Sequence, residues 1–287
     1  MADLSLVVVA AGRHDHLERA LVSWYPSAPR TELVLVDLLG DGAVHEVATA
    51  AGVRFAARRD VSCPAAPGGA LRLAAGRNLG ATRASTGRLC FVDVDCVVTP
   101  ATPPRWVDAI DEHPDALLMP PVRYLRPDWT RHVDAGDEVG GASWCSSSEP
   151  AARPAPVPDR PAGPDETDLF WSLAFCCSAA AFGRTGGFDE SYVGYGAEDT
   201  DFARRAQRCG VPLVWIDAPP TFHQHHAPSR FDEGGLAQLV ANARRFRARW
   251  GDWPMPGWLR ELDDAGLLVW DPDAGVLQVA DRADAAS

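Results

Sequence analysis

The sequence predicts an α/β protein with a mostly parallel central sheet and helices on both faces. Two observations indicate this class. Apolar stretches rich in β-branched residues alternate with helical patterns through the first hundred residues. These stretches are apolar along their whole length, which is typical of parallel strands covered on both faces. Ligands of such sheets bind beyond the carboxyl ends of the strands, and functional residues are expected there.

The elements follow one another in order along the chain. A first strand is predicted at Leu4–Ala10, and a helix from His14 to Trp24, where Leu17 and Leu21 recur at helical spacing. The remaining predicted strands lie at 32–37, 53–57, 88–93, 116–122 and 211–216. The remaining predicted helices lie at 44–51, 71–85, 200–209 and 235–250, and an apolar segment spans 169–182.

The chain of 287 residues shows no internal repeat and no clean domain boundary. We therefore predict one domain at 1–230 in two halves, 1–100 and 101–230, followed by a helical extension at 231–287. The stretch 146–168 is rich in proline, alanine and acids and lacks periodicity. Such a composition buries little apolar area, so it predicts a mobile surface loop.

The charge balance excludes several classes of protein. A net charge of -12 and a pI near 5.0 argue against binding to nucleic acid. All 27 basic side chains are arginines, so a Schiff-base lysine is excluded and a phosphate site must use arginine, backbone N–H groups or a metal. Four arginines crowd the end of the helix at 235–250, where cations suit the helix dipole and could make a peripheral contact with a membrane: Arg244, Arg245, Arg247 and Arg249.

Nothing in the sequence predicts export or insertion into a membrane. No run of about 18 apolar residues occurs, so no membrane span is expected. The start lacks a basic segment before its apolar stretch, so no signal peptide is expected either. The seven cysteines are odd in number and lack zinc spacing, which predicts reduced thiols in a cytoplasmic protein: Cys63, Cys90, Cys96, Cys145, Cys176, Cys177 and Cys209.

Two aspartates, Asp93 and Asp95, end the predicted strand at 88–93. Residues two apart on a strand point to the same side, so both carboxylates can face one pocket at the sheet edge. Carboxylates placed together repel unless a cation or a proton lies between them, and a divalent ion with phosphate oxygens would meet that need. A strand that simply ends in a turn explains the same pair, so the motif alone leaves both interpretations open.

A second cluster combines glycines, aromatic residues and acids. It begins at Gly186, contains Tyr192 and Tyr195, and runs into the acidic helix start Glu198 and Asp199. Stabilisation of a helix end explains one or two of the acids. It leaves the glycine and aromatic frame unexplained, and such a frame suits close approach to a flat ligand such as a sugar ring.

A third cluster contains three histidines in four positions, His223, His225 and His226, just past a predicted strand. An isolated histidine is usually structural or exposed. Three of them at a strand end favour metal binding, although the spacing does not choose among the three.

Together these segments resemble family 2 glycosyltransferases of the GT-A fold, with a galactosyltransferase-like motif towards the C-terminus. The resemblance spans roughly 4–226. It rests on the order of the following segments: Leu6-Val7-Val8-Val9 with Arg13, Leu35-Val36-Asp37, Ala75-Gly76-Arg77-Asn78-Leu79-Gly80, Phe91-Val92-Asp93-Val94-Asp95, Gly186-Gly187-Phe188-Asp189-Glu190, Gly196-Ala197-Glu198-Asp199-Thr200-Asp201-Phe202 and Phe222-His223-Gln224. Each segment is weakly specific, but their order and spacing together are specific.

The resemblance implies that 1–100 binds a nucleotide sugar, with a uridine base, and that 101–230 binds the acceptor. It implies that Asp37 contacts the base, although Asp37-Leu38 replaces the usual acidic pair. The donor contacts it implies are Ala10, Arg13, Asp37, Arg77, Asn78, Asp93 and Asp95. The metal ligands it implies are Asp93, Asp95 and His223, for Mn²⁺ or Mg²⁺, and an imidazole ligand suits Mn²⁺ better.

The resemblance also assigns the chemistry. Glu198 binds the acceptor, and Asp199 removes the proton from the attacking hydroxyl, so that one displacement inverts the anomeric configuration. Tyr192 and Tyr195 are expected to contact the acceptor, which could be a small molecule, a glycan or a peptide.

Two other functions remain open at this point. The first is a metal-dependent hydrolase that uses His223, His225 and His226 with Asp95. The second is a catalytically degenerate protein that binds a sugar. A dinucleotide-dependent dehydrogenase is disfavoured because Ala10-Ala11-Gly12-Arg13 lacks the glycine fingerprint.

Overall fold

The computed structural model describes residues 1–131, 147–153, 158–226 and 233–280. The helices within these ranges are α1 (His14–Ser23), α2 (Ala43–Ala50), α3 (Leu73–Arg83), α4 (Thr102–Glu112), α5 (Ala179–Thr185), α6 (Glu198–Arg208), α7 (Glu233–Trp250) and α8 (Pro256–Asp264). Short 3-10 helices span Ala28–Arg30 and Pro164–Leu169. The strands are β1 (Leu4–Ala10), β2 (Thr31–Asp37), β3 (Ala57–Ser62), β4 (Arg88–Val92), β5 (Cys96–Val97), β6 (Leu117–Met119), β7 (Val122–Leu125), β8 (Ser147–Ser148), β9 (Arg160–Pro161), β10 (Ala174–Ser178), β11 (Leu213–Trp215), β12 (Thr221–His223), β13 (Leu268–Asp271) and β14 (Val276–Val279).

Eight of these strands form the central sheet, in the order β3-β2-β1-β4-β10-β6-β11-β9. The first half of the chain supplies the parallel strands β1 to β4, as the apolar pattern predicts. The antiparallel strand β10 then joins β4 to β6, within the segment that the sequence shows only as apolar. Parallel pairings therefore outnumber antiparallel ones in the described sheet.

Helices cover both faces of this sheet because the side chains of each strand alternate between two hydrophobic clusters. Leu6 and Val8 of β1 pack with the cluster that contains Trp106 of α4. Val7 and Val9 pack with the opposite cluster, which contains Phe202 of α6. The predicted layering of helices on both faces is thus confirmed.

A smaller sheet, ordered β5-β12-β7-β8, stands beside the carboxyl end of β4. Its central strand β12 places His223 opposite Cys96 of β5 and opposite Tyr124 of β7. A chain segment beyond residue 220 thereby returns to the end of the strand that carries Asp93 and Asp95. This return brings together residues that are far apart in the sequence.

The extension after residue 232 departs from the helical prediction in part. Helices α7 and α8 pack against a hairpin of β13 and β14 around their own apolar cluster. The hairpin was missed because its exposed face is also apolar, with Val269 and Val276 partly exposed, so the strands show little alternation.

The four arginines at the end of α7 contact the rest of the chain. Arg244 donates to the carbonyl of Leu277, and Arg249 contacts Asp189 and Asp201. Arg245 lies over Tyr192 and Arg247 over Trp253. These internal contacts account for the cluster, while the membrane contact stays a prediction. Among the described residues, no helix is long and apolar enough to cross a membrane.

The predicted loop at 146–168 contains ordered structure where it is described. Arg153 is buried, and its guanidinium donates to the carbonyl of Leu169 at 2.9 and 3.2 Å and lies 4.4 Å from the Trp171 ring centroid. Strand β9 and a 3-10 helix follow it. Residues 146 and 154–157 lie outside the described residues, and the mobility of the segment stays a prediction.

The third strand also lies later than predicted, at Ala57–Ser62 instead of 53–57. It is an edge strand whose side chains are exposed or half-buried, so its sequence lacks the apolar run on which the prediction relied. Five of the predicted thiols are buried and free, Cys209 is exposed, and Cys145 lies outside the described residues.

Candidate active site

Arg77 is the central cation of the site. Helix α3 carries it, and its side chain is buried. Its guanidinium donates to Asp93 at 3.0 Å and to Glu198 at 3.2 Å, and lies 5.4 Å from the Phe188 ring centroid. Burial alone would lower the pKa of Arg77, but the two carboxylates raise it above the usual value. One arginine thus joins the end of β4 to the start of α6.

A compact group of potential metal ligands lies next to Asp93. One atom each from the buried Asp95 and from His223 and His226 falls within 4.8 Å of the others. Both imidazole Nε2 atoms lie 3.5 Å from the Asp95 carboxylate. Arg13, in a left-handed backbone conformation just after β1, also contacts that carboxylate. The Asp95 carboxylate is therefore contacted by one cation, Arg13, and by two imidazoles, and burial lowers the pKa of the His223 imidazole.

The small sheet builds this group. Asp95 directly precedes β5, and β5 pairs with β12, which ends at His223. The backbone N–H of Gln224 donates to the carbonyl of Asp95 at 2.7 Å. The buried Gln224 side chain donates to the carbonyl of His16 at 2.9 Å, and this bond holds the end of β12 against α1.

The structure differs from the predicted metal set in two places. His226 joins the group, although the resemblance implied only His223. Asp93 lies outside the group in the described chain, and its carboxylate pairs with Arg77. His225 is exposed and also lies outside it, so the three-histidine set of the hydrolase alternative is not assembled.

Helix α6 begins with the two acids of the second cluster. Its N-cap residue, Ala197, has φ 70°, and Gly196 before it has φ 103°. This left-handed turn aims Glu198 at Arg77. Asp199 is half-buried and accepts a hydrogen bond from the backbone N–H of Thr200 at 2.8 Å.

Two acids near Arg77, Asp199 and Asp93, have raised pKa values. Burial raises the pKa of Asp199 to about 7, the nearby Glu198 carboxylate adds to the shift, and the Thr200 N–H and Arg77 oppose it. Burial also raises the pKa of Asp93 to about 6, where Arg77 opposes the shift and Asp95 adds to it. A carboxyl group that titrates near neutral pH can accept a proton, and its place beside another acid marks a candidate active site.

Asp37 has a different place from the one predicted. It is fully buried, and its carboxylate accepts backbone N–H bonds from Leu39 and Gly40 at 2.9 Å and from Gly42 at 2.7 Å. Burial by itself would raise its pKa, but these donors hold the pKa below the usual value. The loop after β2 therefore uses the carboxylate that the resemblance assigned to a nucleotide base.

Two further predicted ligand contacts are structural. The Asn78 amide accepts from the Phe188 backbone N–H at 2.8 Å and donates to the Phe188 carbonyl at 2.9 Å, so it ties α3 to the second cluster. Tyr192 is buried against Phe246 of α7, and its hydroxyl lies 3.4 Å from Asp201. Glycine and aromatic composition could not separate this packed ring from an exposed one.

Tyr195 has an exposed ring, and its contact with the acceptor stays a prediction. It is 55% exposed and lies edge-on to Trp258 of α8, with ring centroids 5.3 Å apart. Trp258 was missed because α8 has no family motif in its sequence. Ala10 ends β1 in register with Asp37 and is buried, and its contact with the donor stays a prediction.

Known proteins resemble parts of this chain in sequence. Residues 161–227 match a family model described as the N-terminal domain of galactosyltransferase. Validoxylamine A glucosyltransferase of Streptomyces hygroscopicus subsp. jinggangensis (strain 5008) is 36% identical over 83 residues. That match covers 27% of this chain and 18% of the relative, so the chain spans less than a fifth of the relative's length.

Solved structures resemble the whole fold. S. aureus TarS 1-349 in complex with UDP-GlcNAc has a TM-score of 0.60 at 12% identity, covering 86% of this chain and 66% of that chain. GalNAc-T7 with UDP, GalNAc and Mn²⁺ has a TM-score of 0.56 at 15% identity, covering 91% and 54%. The predicted GT-A glycosyltransferase fold is confirmed, and so is the galactosyltransferase-like motif in the second half.

Proposed function

We propose that this chain is a metal-dependent glycosyltransferase that moves a sugar from a UDP-linked donor to an acceptor hydroxyl, with inversion. One observation carries the proposal. Arg77 bridges Asp93, next to the metal-ligand group, and Glu198, next to the basic carboxylate of Asp199. In this proposal the diphosphate of the donor and the proton acceptor Asp199 lie at the same edge of the sheet, as a transfer reaction requires.

The donor side is formed by Arg13, Asp93 and Asp95 after strands β1 and β4. Arg13 and Arg77 are the cations nearest to these acids, and the chain has no lysine that could replace them. The titles of two structural neighbours name UDP or UDP-GlcNAc, which supports a uridine donor.

The residues present fit a divalent cation. Asp95, His223 and His226 offer one carboxylate oxygen and two imidazole nitrogens, a set that suits Mn²⁺ better than Mg²⁺, which prefers oxygen ligands. A cation held there would supply positive charge to the leaving diphosphate. The Mn²⁺ named with GalNAc-T7 supports this choice of ion.

Asp199 performs the proton transfer in this proposal. Its carboxylate accepts the proton of the acceptor hydroxyl while that oxygen forms a bond to the anomeric carbon. The bond between the anomeric carbon and the diphosphate oxygen breaks, and the nucleoside diphosphate leaves from the opposite face. Attack and departure on opposite faces invert the anomeric centre.

Glu198 and Tyr195 bind the acceptor beside Asp199. Arg77 fixes the Glu198 carboxylate, and Tyr195 with Trp258 offers exposed aromatic surface close to it. Aromatic side chains provide apolar faces with polar edges, which suits a hydroxyl-bearing ring as acceptor.

The first experiment is calorimetry of UDP binding with Mn²⁺ or with EDTA, followed by assays of UDP release from a panel of UDP-sugars. UDP should bind with Mn²⁺, and the affinity should fall sharply in EDTA and in Asp95→Asn. Asp60→Asn is the matched control, because Asp60 is a partly exposed acid on the edge strand β3, paired with Arg58. Equal affinity with Mn²⁺ and with EDTA overturns the metal, and binding of no nucleoside diphosphate overturns the donor.

A further inference from the structure

The turn that presents the two site acids is held from outside by α7. Three of its residues lie in the left-handed region: Gly194 at φ 80°, Gly196 at φ 103° and Ala197 at φ 70°. An alanine rarely adopts this conformation, and it persists only where the surroundings impose it. The position of Asp199 therefore depends on what the turn packs against.

Asn242 of α7 meets this turn directly. Its side chain is buried, and its amide nitrogen donates to the carbonyls of Val193 at 3.0 Å and Tyr195 at 3.2 Å. Both protons of one amide group are thus directed at carbonyls on either side of Gly194. A side chain with fewer donors cannot make both bonds.

The backbone of the turn also packs closely against α7, so little space remains between them. A Cβ atom on Gly194 would lie 2.1 Å from the Gln238 side chain, and one on Gly196 would lie 3.2 Å from Leu239 and from Met255. The backbone of the turn therefore sits in contact with the extension along its length.

The first turn of α6 is tied to the same helix. Asp201 is fully buried and accepts hydrogen bonds from Arg249 at 2.7 Å and from the Trp250 indole at 3.0 Å. Val193 and Tyr195 precede the two acids, and Asp201 follows them, so the extension holds the chain on both sides of Glu198 and Asp199.

We propose that Asn242 is a positioning residue for the proton-accepting acid, and that the extension after residue 232 is required for turnover. The proposal rests on the proposed function for its catalytic part. Asn242 touches no reacting atom and lies outside the segment that matches the galactosyltransferase family. Its amide group fixes the carbonyls of Val193 and Tyr195. These bonds fix the backbone of the turn, which orients the Asp199 side chain.

The test compares Asn242→Ala with Arg244→Met in the full chain. Arg244 lies on the same helix, but its hydrogen bond goes to Leu277 of the hairpin, away from the turn. Asn242→Ala should lower kcat by about 10- to 100-fold, because a small misplacement of a catalytic group has effects of that size. The Kd for UDP with Mn²⁺ should stay within about twofold, and Arg244→Met should keep kcat even where it lowers Tm comparably.

Hydrogen exchange separates this proposal from the proposed function. Peptides that cover 193–201 should exchange faster in Asn242→Ala than in the native chain and in Arg244→Met, whether or not any transferase activity is found. Absence of turnover in the native chain, with faster exchange in Asn242→Ala, would overturn the proposed function and leave the anchoring in place. Unchanged exchange at 193–201, or native kcat in Asn242→Ala, would overturn the positioning role.

Discussion

Two turns in this protein shift the pKa of an aspartate in opposite directions. After β2, Asp37 is enclosed by its own loop and accepts three backbone N–H bonds, which keep its pKa below the usual value. At the start of α6, burial and the neighbouring Glu198 raise the pKa of Asp199 to about 7. The aspartate of the first turn is thus held in its ionised form, whereas the aspartate of the second has a raised affinity for a proton.

The difference between the two turns shows which contacts distinguish a structural carboxylate from one that can accept a proton. Burial raises the pKa of both groups, so burial alone does not distinguish them. Backbone donors decide the outcome, since three of them stabilise the ionised form of Asp37 beyond the cost of its burial. Asp199 has fewer donors and a carboxylate beside it, so it retains affinity for a proton.

The largest expected effect is the loss of turnover when the carboxylate of Asp199 is removed. Asp199→Asn should lower kcat by about 10²–10⁴-fold, because a positioned base is lost, while UDP and Mn²⁺ still bind. In the native enzyme kcat should rise with pH through a midpoint near pH 7 and level off about one pH unit above it, since Asp199 must be ionised to accept a proton. Initial rates between pH 5 and 9 measure both effects.

Two variants make that result interpretable. Glu198→Gln should raise the KM for the acceptor more than it lowers kcat, because Glu198 is fixed by Arg77 and is proposed to bind the acceptor. Asp165→Asn alters an exposed acid in the first turn of a 3-10 helix and should leave both constants unchanged. Near-native turnover in Asp199→Asn would show that the acid only caps its helix.

The sequence allowed the parallel half of the fold to be predicted because β1 to β4 are apolar and evenly spaced. It did not reveal β10 as antiparallel, since an apolar run carries no information on direction. It placed β3 a few residues too early in the chain, because the side chains of this edge strand are exposed or half-buried and its composition resembles that of a loop.

The candidate site was predicted unevenly for a related reason. Motifs identify residue types, so they point to Arg77, Asp95, His223 and Asp199. They do not show which atoms a neighbour already uses, and Asp37, Asn78 and Tyr192 make contacts within the fold. The histidine cluster included His226 but its spacing did not choose among the three, and the contacts of Trp258 and Asn242 arise only in the folded chain.

Another prediction concerns Asp95, whose carboxylate contacts Arg13 and the imidazoles of His223 and His226. His226→Ala should raise the Mn²⁺ concentration needed for half-maximal UDP binding by about 10- to 100-fold, the range seen even for groups that only support a metal ligand. His225→Ala is the matched control, since His225 is exposed and lies outside the group. Equal effects of the two variants would remove His226 from the ligand set.

The smallest effects concern stability, and here the two turns should respond with opposite signs. Asp37→Asn replaces an acceptor oxygen with an NH₂ group, so one backbone N–H of the 39–42 loop loses its partner. We expect a loss of about 1–3 kcal/mol in the free energy of unfolding, measured in urea at pH 7. A pKa below the usual value means that the ionised form stabilises the native state above the unfolded pKa, so the loss should shrink as the pH falls towards 3.

Asp199→Asn should do the reverse. Because the native pKa of Asp199 is raised to about 7 from the usual 3.8, the native chain binds a proton there between about pH 4 and 7 that the unfolded chain releases. Stability due to this group therefore falls as the pH rises through that window, and at pH 8 a buried charge remains beside Glu198. The neutral amide removes this cost, so Asp199→Asn should raise Tm by about 2–4 °C at pH 8, by a smaller amount at pH 5, and leave it nearly unchanged at about pH 4. A variant that loses turnover while its gain in stability grows between about pH 4 and 7 is what a proton acceptor predicts, whereas a capping acid would lose stability at both pH 5 and pH 8.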